Sequence, residues 1–487
     1  MQSSSLKHKT VYGMAWDALR SFGTMGISFV SNIILARLLL PDDFGTLGVI
    51  MAFVTFSSAF VDGGLASSLI QRGNPEKDDY SSVFFFNVGI AVLFYLFIFA
   101  LSPSIASFFD SDVLVPALRA TGIVILTDAL SIVHITRLQV SLQFKKRSFY
   151  YLIATAIGAG MGIALALMGF GLWSLVVKTL TTSIVLCIIV WSSTSWKPGL
   201  VFSLKRVKAL FSFGGYMFLS TLIEYLYAFI QPMIIGRFFL MEQLGYFSQA
   251  RKIEEIPANG MVSVINTVTF PVYSKLKDDL TLLVIGARKT LKALFFIAAP
   301  IMAILILLAD PIIVSLLGQK WQSAAPFLQV LCIAGLFRIP SGINMNLIQS
   351  IGKSKAFMFV QIVKRCFGLI CIIVGVFGGI MGLMWGFAVA GVIFFAVDSF
   401  MCGKFLGYGT FKQISDMLPY AVLALISSIV TYIILYFFIG SLKPLLICCI
   451  IIPVFMLVYC GLSYVFKVDA LRYITEILAE RKALKQV

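Results

Sequence analysis

The side chains that could act on a ligand lie where charge is expensive, inside long apolar stretches. In the stretch 12–38, Asp17 and Arg20 stand three residues apart on one helical face. The stretch 209–237 carries Glu224, and 244–272 carries Arg251, Lys252, Glu254 and Glu255, with Pro257 just after them. At the centre of a membrane helix each such charge costs roughly 2.5 to 3.5 kcal/mol unless it meets water or a partner. One reading is transport chemistry in a hydrated cleft. Arg20, Arg251 and Lys252 would hold an anionic ligand, and Asp17, Glu224, Glu254 and Glu255 would bind a proton or sodium ion or act in gating. The other is local neutralisation, Asp17 with Arg20 and Glu254 or Glu255 with Arg251, which lets the helices insert without any ligand.

Other positions have two readings as well. Arg37 and Arg237 sit near outer span ends, where they either join the binding surface or simply snorkel to the interface. Asp62, before Gly63 and Gly64, is a gate or a helix-end charge. Pro232 removes a backbone hydrogen bond and bends its helix, as a hinge of transport or as a static kink. Arg338, Lys364, Arg365, Lys178 and Asp398 fall in spans whose faces the pattern does not orient. Gly158, Gly160 and Gly162 lie within a span with no strand before them, so they are no dinucleotide loop. Gly375, Gly379, Gly382 and Gly386 recur at helix-packing spacing. The eight cysteines lie in apolar segments without metal or redox spacing and read as buried hydrophobes, and His8 and His134 are isolated. No cofactor and no metal is indicated.

The elements that position these residues follow from hydropathy. With 60% hydrophobic and 12% charged residues among 487, and a mean hydropathy of +0.98, the chain is a polytopic membrane protein. No removable signal peptide is read at the amino end, so the first span acts as its own insertion signal. The formal charge of +16 comes from short basic runs between apolar segments, which fits anionic lipid and membrane orientation and excludes a nucleic-acid partner.

A duplication organises the spans. The stretch ILARLLLPDDFGTL from Ile34 to Leu47 recurs as IIGRFFLMEQLGYF from Ile234 to Phe247, and SPSIASFF from Ser102 faces DPIIVSLL from Asp310. About fourteen spans of about 20 residues are expected. Loops holding Asp42, Asp43, Asp110, Asp112 and Glu242 alternate with loops rich in lysine and arginine, so both termini are cytoplasmic and the repeat is parallel. The expected architecture is all-α: an N-terminal lobe of six helices (1–208), a C-terminal lobe of six (209–412) and two further spans (413–466). A cytoplasmic amphipathic tail (467–487), with Val468, Leu471, Ile474, Ile477 and Leu478 on one face, completes it.

Three blocks carry a family likeness: ILARLLLPDDFGTLGVI, DGGLASSLIQR (Asp62–Arg72) and LGYFSQARKIEEIPANGMVSVINTVTFPVYSKLKDD (Leu244–Asp279). Together they resemble the polysaccharide transporter family. These are Wzx-type flippases, in the superfamily that also holds multidrug and toxin extrusion antiporters and peptidoglycan-precursor flippases. The resemblance implies two six-helix lobes around a cationic lumen and two extra helices. It also implies movement of undecaprenyl-diphosphate-linked oligosaccharide across a bacterial inner membrane, for O antigen, capsule or exopolysaccharide. Its lumenal cations would map to Arg20 and Arg251, although Asp17, Glu254 and Glu255 beside them depart from a purely cationic lumen. The implied partners are the lipid-linked oligosaccharide, the bilayer and a polysaccharide polymerase complex. A cation-coupled drug antiporter is the first rival. A membrane polymerase or ligase is the second, disfavoured because every expected outer loop is short.

Overall fold

The computed structural model describes residues 2–72, 75–265, 269–438 and 443–469, and the tail beyond Asp469 lies outside the described residues. Among the described residues the regular structure is entirely helical. The first repeat comprises α1 (Gln2–Leu38), α2 (Pro41–Asp62), α3 (Leu65–Gln71), α4 (Lys77–Phe108), α5 (Leu114–Val140), α6 (Phe144–Leu167) and α7 (Leu172–Ser193). The second runs through α8 (Leu204–Phe238), α9 (Met241–Val264), α10 (Phe270–Leu276), α11 (Leu280–Leu307), α12 (Ala309–Leu317), α13 (Ala325–Ser350), α14 (Ser354–Val376) and α15 (Gly379–Leu406). The appended pair is α16 (Thr410–Phe438) and α17 (Pro444–Val465).

Twelve helical segments among the described residues are long and apolar enough to cross a membrane. α8 and α9 are the repeat mates of α1 and α2. At 35 and 24 residues and about 1.5 Å rise per residue they also reach across a core of about 30 Å. The expectation of about fourteen spans is therefore met. The chemistry of the ends is local: Pro41 opens α2, and the Asp43 carboxylate accepts the Leu40 N–H at 3.0 Å. The expected second span is broken rather than continuous, because Gly63 and Gly64 both adopt left-handed φ, 52° and 73°.

The chain folds as two compact units, Met1–Gly245 and Tyr246–Val487. The division by contacts falls after Gly245. α8, expected to open the second lobe, packs on α2, α3 and α4 of the first unit. Phe229 of α8 lies 5.0 Å from both Phe53 and Phe56, edge-on to the first, and Phe218 meets Phe60 at 6.0 Å. Within this unit the two copies of the duplicated stretch touch. A Cβ on Gly45 would strike the Met241 carbonyl, and one on Gly245 would strike the Pro41 carbonyl, so both positions require glycine.

Two prolines lie inside helices where the orphaned carbonyl finds another donor. The third span was expected to stop at 102, before Pro103, yet α4 continues to Phe108. Pro103 leaves the Phe99 carbonyl without its helical donor, and the Ser102 hydroxyl donates to that oxygen at 2.8 Å. Pro300 in α11 likewise orphans the Phe296 carbonyl, which receives the Tyr459 hydroxyl of α17 at 3.0 Å. Asp416 of α16 takes a bidentate pair from Arg288 of α11, both contacts 2.8 Å. The appended helices are thus wired into the second unit. Tyr459→Phe leaves that buried carbonyl bare, with an expected loss of about 1 to 3 kcal/mol. A thermal melt in detergent reads it, and an unshifted midpoint would show that the bond contributes nothing.

Three of the four glycines at helix-packing spacing do pack helices: a Cβ on Gly382 would lie 2.7 Å from the Gly375 carbonyl and one on Gly386 2.6 Å from that of Cys371, so α14 and α15 meet backbone to backbone, whereas Gly379, with φ 71°, opens α15 and meets no neighbour there. Gly158 and Gly162 do the same between α6 and α7, where Cβ atoms would crowd Lys178. The expectation for the cysteines needs correction. Cys332, Cys402 and Cys448 are buried, but Cys366, Cys449 and Cys460 are exposed on helix faces. Lipid tails are as apolar as a protein core, so an outward thiol in a span meets no water.

Candidate functional site

In the first unit α1 and α6 bring three charges together. Arg20 Nε donates to Asp17 Oδ1 at 3.0 Å, and Arg147, in the first turn of α6, approaches the same oxygen at 3.5 Å. The register is held by the Ser148 hydroxyl on the Trp16 carbonyl at 2.7 Å. The Arg20 guanidinium lies over the Tyr151 ring, 5.4 Å from its centroid. Arg147 is largely buried, and its Nε has no hydrogen-bond partner. Two cations against one carboxylate leave this cluster net positive.

The second unit repeats the motif on helices that are not repeat mates of α1 and α6. Arg251 Nε donates to Glu255 Oε1 at 2.9 Å on α9, and Arg338 of α13 approaches that same oxygen at 3.9 Å. Arg338 also pairs with Glu254 Oε2 at 3.4 Å. Glu254 is 1% exposed, and its Oε1, pressed against Gly335, has no hydrogen-bond partner. A carboxylate buried in that position is compensated by the Arg338 charge. Of the two pairings left open by the sequence for Arg251, the structure makes the one with Glu255.

The other expected residues are not gathered into these clusters. Lys252 and Glu224 are exposed on α9 and α8, and Arg37 is exposed in the last turn of α1. Arg237, at the end of α8, donates to the Phe108 carbonyl at 2.7 Å and to Asp110 at 3.0 Å, which ties α8 to the end of α4. Asp62 accepts the Ala66 N–H at 3.4 Å and so caps α3. Pro232 lies within an unbroken α8.

Several polar residues were given no partner by the sequence reading. Arg147 belongs to the basic run 145–147 and looked like an inner-face loop charge; the signal for it was Tyr151, one turn later on the same helix. Arg338 had no visible partner because Glu254 lies on another helix. Lys178 of α7 donates to Ser31 of α1 at 2.8 Å, and the Asp128 carboxylate of α5 accepts the Ser183 hydroxyl at 2.5 Å. These tie helices of the first unit together. Lys364 and Asp398 form a buried pair at 3.0 Å between α14 and α15. Among the described residues no three His, Cys, Asp or Glu side chains gather as a metal site. Chemically, each cluster can hold an anion between two guanidiniums from different helices.

Known proteins share this chain's sequence and fold. The succinoglycan biosynthesis transport protein ExoT of Rhizobium meliloti (strain 1021) is 27% identical over 352 residues, covering 72% of this chain and 71% of ExoT. The lipopolysaccharide biosynthesis protein WzxC of Escherichia coli (strain K12) is 24% identical over 437 residues, 88% of each chain. Among solved structures, the lipid II flippase MurJ in an inward closed conformation superposes with a TM-score of 0.78 at 17% identity, over 93% of this chain and 99% of that one. A multidrug resistance MATE family transporter in an inward-facing conformation gives 0.58 at 17% identity, over 80% and 98%. Both likenesses are of fold, and the fold expected from the sequence is the one found. Residues 34–326, more than half of the chain, match the family described as polysaccharide biosynthesis protein, and the chain belongs to that family.

Proposed function

We propose that this chain is a flippase and not an enzyme. It moves polyprenyl-diphosphate-linked oligosaccharide from the cytoplasmic to the outer leaflet of a bacterial inner membrane by alternating access, both termini lying in the cytoplasm. One observation carries the reading. A multi-span protein whose relatives are named for polysaccharide and lipopolysaccharide biosynthesis holds a pair of arginines on apolar helices in each of its units. A diphosphate bearing sugars does not cross about 30 Å of hydrocarbon unaided, while its polyprenyl tail can remain in lipid. Guanidinium forks match phosphate oxygens and replace part of their hydration. Arg20 and Arg251 are the primary diphosphate ligands in this reading. A polysaccharide polymerase complex would consume the product on the outer leaflet.

The test is the sidedness of a polyprenyl-diphosphate oligosaccharide in proteoliposomes, read by an impermeant sugar-modifying enzyme added outside. Exposure that depends on the protein is expected. Folded protein that exposes none of several glycans would overturn the reading and favour a cation-coupled antiporter.

A further inference from the structure

The two clusters share one construction. In each, one carboxylate oxygen serves two guanidiniums: a near arginine on its own helix through Nε, and a far arginine on another helix through a terminal nitrogen. Asp17 Oδ1 lies 3.0 Å from Arg20 and 3.5 Å from Arg147, and Glu255 Oε1 lies 2.9 Å from Arg251 and 3.9 Å from Arg338. The near pairs are i,i+3 and i,i+4 neighbours, so neutralisation was available on a single helix. In the first unit the far arginine is therefore an addition to that pair; in the second, Arg338 already neutralises Glu254 at 3.4 Å, and the addition is its approach to Glu255.

Both bridging carboxylates are also reachable. Asp17 is 41% exposed and Glu255 32%, in contrast with Glu254, whose burial fixes it in place. We propose that Asp17 and Glu255 are resident stand-ins for phosphate, each occupying in the empty protein the oxygen position that a substrate phosphate takes between two arginines. The proposal rests on the flippase reading and concerns how that same binding surface is kept when no substrate is present.

The physical logic has two parts. An unoccupied pair of guanidiniums in a span would face mutual repulsion and the cost of charge in a low-dielectric medium. A tethered carboxylate removes that cost without closing the site, since it swings away on its own side chain when a doubly charged group arrives. Glu254 then acts as a positioning residue. It keeps Arg338 paired at 3.4 Å after Glu255 has released it. In the first unit Arg147 Nε is a buried donor that Asp17 leaves without a partner. The same tether makes the site weaker than bare arginines would be, because substrate must displace an ion pair. That favours release on the far side.

Removing the stand-in's charge while keeping its shape should therefore tighten binding. The probe is farnesyl diphosphate, titrated calorimetrically into the full chain in detergent, with farnesol as the phosphate-free control. Asp17→Asn and Glu255→Gln are each expected to bind it about 2- to 5-fold tighter than the parent, the range of one exposed ion pair. Equal or weaker binding in a folded Glu255→Gln protein overturns the proposal. So does a parent protein that binds farnesyl diphosphate no better than farnesol. If Asp17→Asn does not fold, the Glu255→Gln result decides. A parent that flips glycan in proteoliposomes while its Gln variant binds no tighter would refute the stand-in and leave the flippase reading intact.

Discussion

Lys364→Met should leave little folded protein. Its ammonium is the cation paired with Asp398, 3.0 Å away, with the two side chains 7% and 0% exposed. Breaking a buried pair from one side costs about 3 to 5 kcal/mol, because the remaining charge stays buried without its counter-ion. That is a large share of a typical stability of about 5 to 15 kcal/mol. Replacing both members by apolar residues of similar volume is often neutral, so Lys364→Met with Asp398→Leu should recover most of the loss. The yield of monodisperse protein and its thermal midpoint in detergent give the answer. A single variant as stable as the parent would mean that Asp398 is satisfied by something other than Lys364.

The second large effect is on transport rather than folding. Arg20→Ala and Arg251→Ala should each lower glycan export by about two orders of magnitude, the range for truncating one member of a hydrogen-bonded charge pair in a binding site. The protein should still reach the membrane, because each carboxylate keeps a cation. Arg147 stays 3.5 Å from Asp17, and Arg338 stays 3.9 Å from Glu255. Lysine at either position preserves the charge but loses the planar fork, so export should be intermediate. Surface polysaccharide in cells, normalised to membrane-embedded protein, is the measure; normal export in both alanine variants would remove these arginines from the binding surface.

Much of the fold is legible in the sequence because a bilayer leaves little freedom. A run of about 20 apolar residues has one stable form there, so the spans can be read from hydropathy. The duplication could be read from Arg37, Gly45 and their mates Arg237 and Gly245. Hydropathy misjudges the ends of elements whose backbone is rescued by side chains: Pro103 looks like a terminator until Ser102 supplies the donor for Phe99. The attachment of α8 to the first unit is equally hidden, since it depends on Phe229 meeting Phe53 and Phe56 across more than a hundred residues. The near half of each charge cluster was visible as spacing on one helix. The far half, Arg147 and Arg338, was not, because no pattern within a helix says which neighbour it will face.

The crossing of the duplicated stretches has a further consequence. Gly45 rests on Met241 and Gly245 on Pro41, and in the repeat 45 corresponds to 245 and 41 to 241. Reciprocity of that kind is what an isologous interface between identical subunits produces by symmetry. A half-length ancestor would have made this contact with its own twin, glycine under carbonyl on both sides. Fusion of two gene copies would preserve the contact while removing the obligation to stay identical. Positions 251, 254 and 255 show what that freedom permits. They are Arg, Glu and Glu in the second copy, and their counterparts in the first are Met51, Val54 and Thr55. An obligate homodimer would have had to carry such charges twice or not at all.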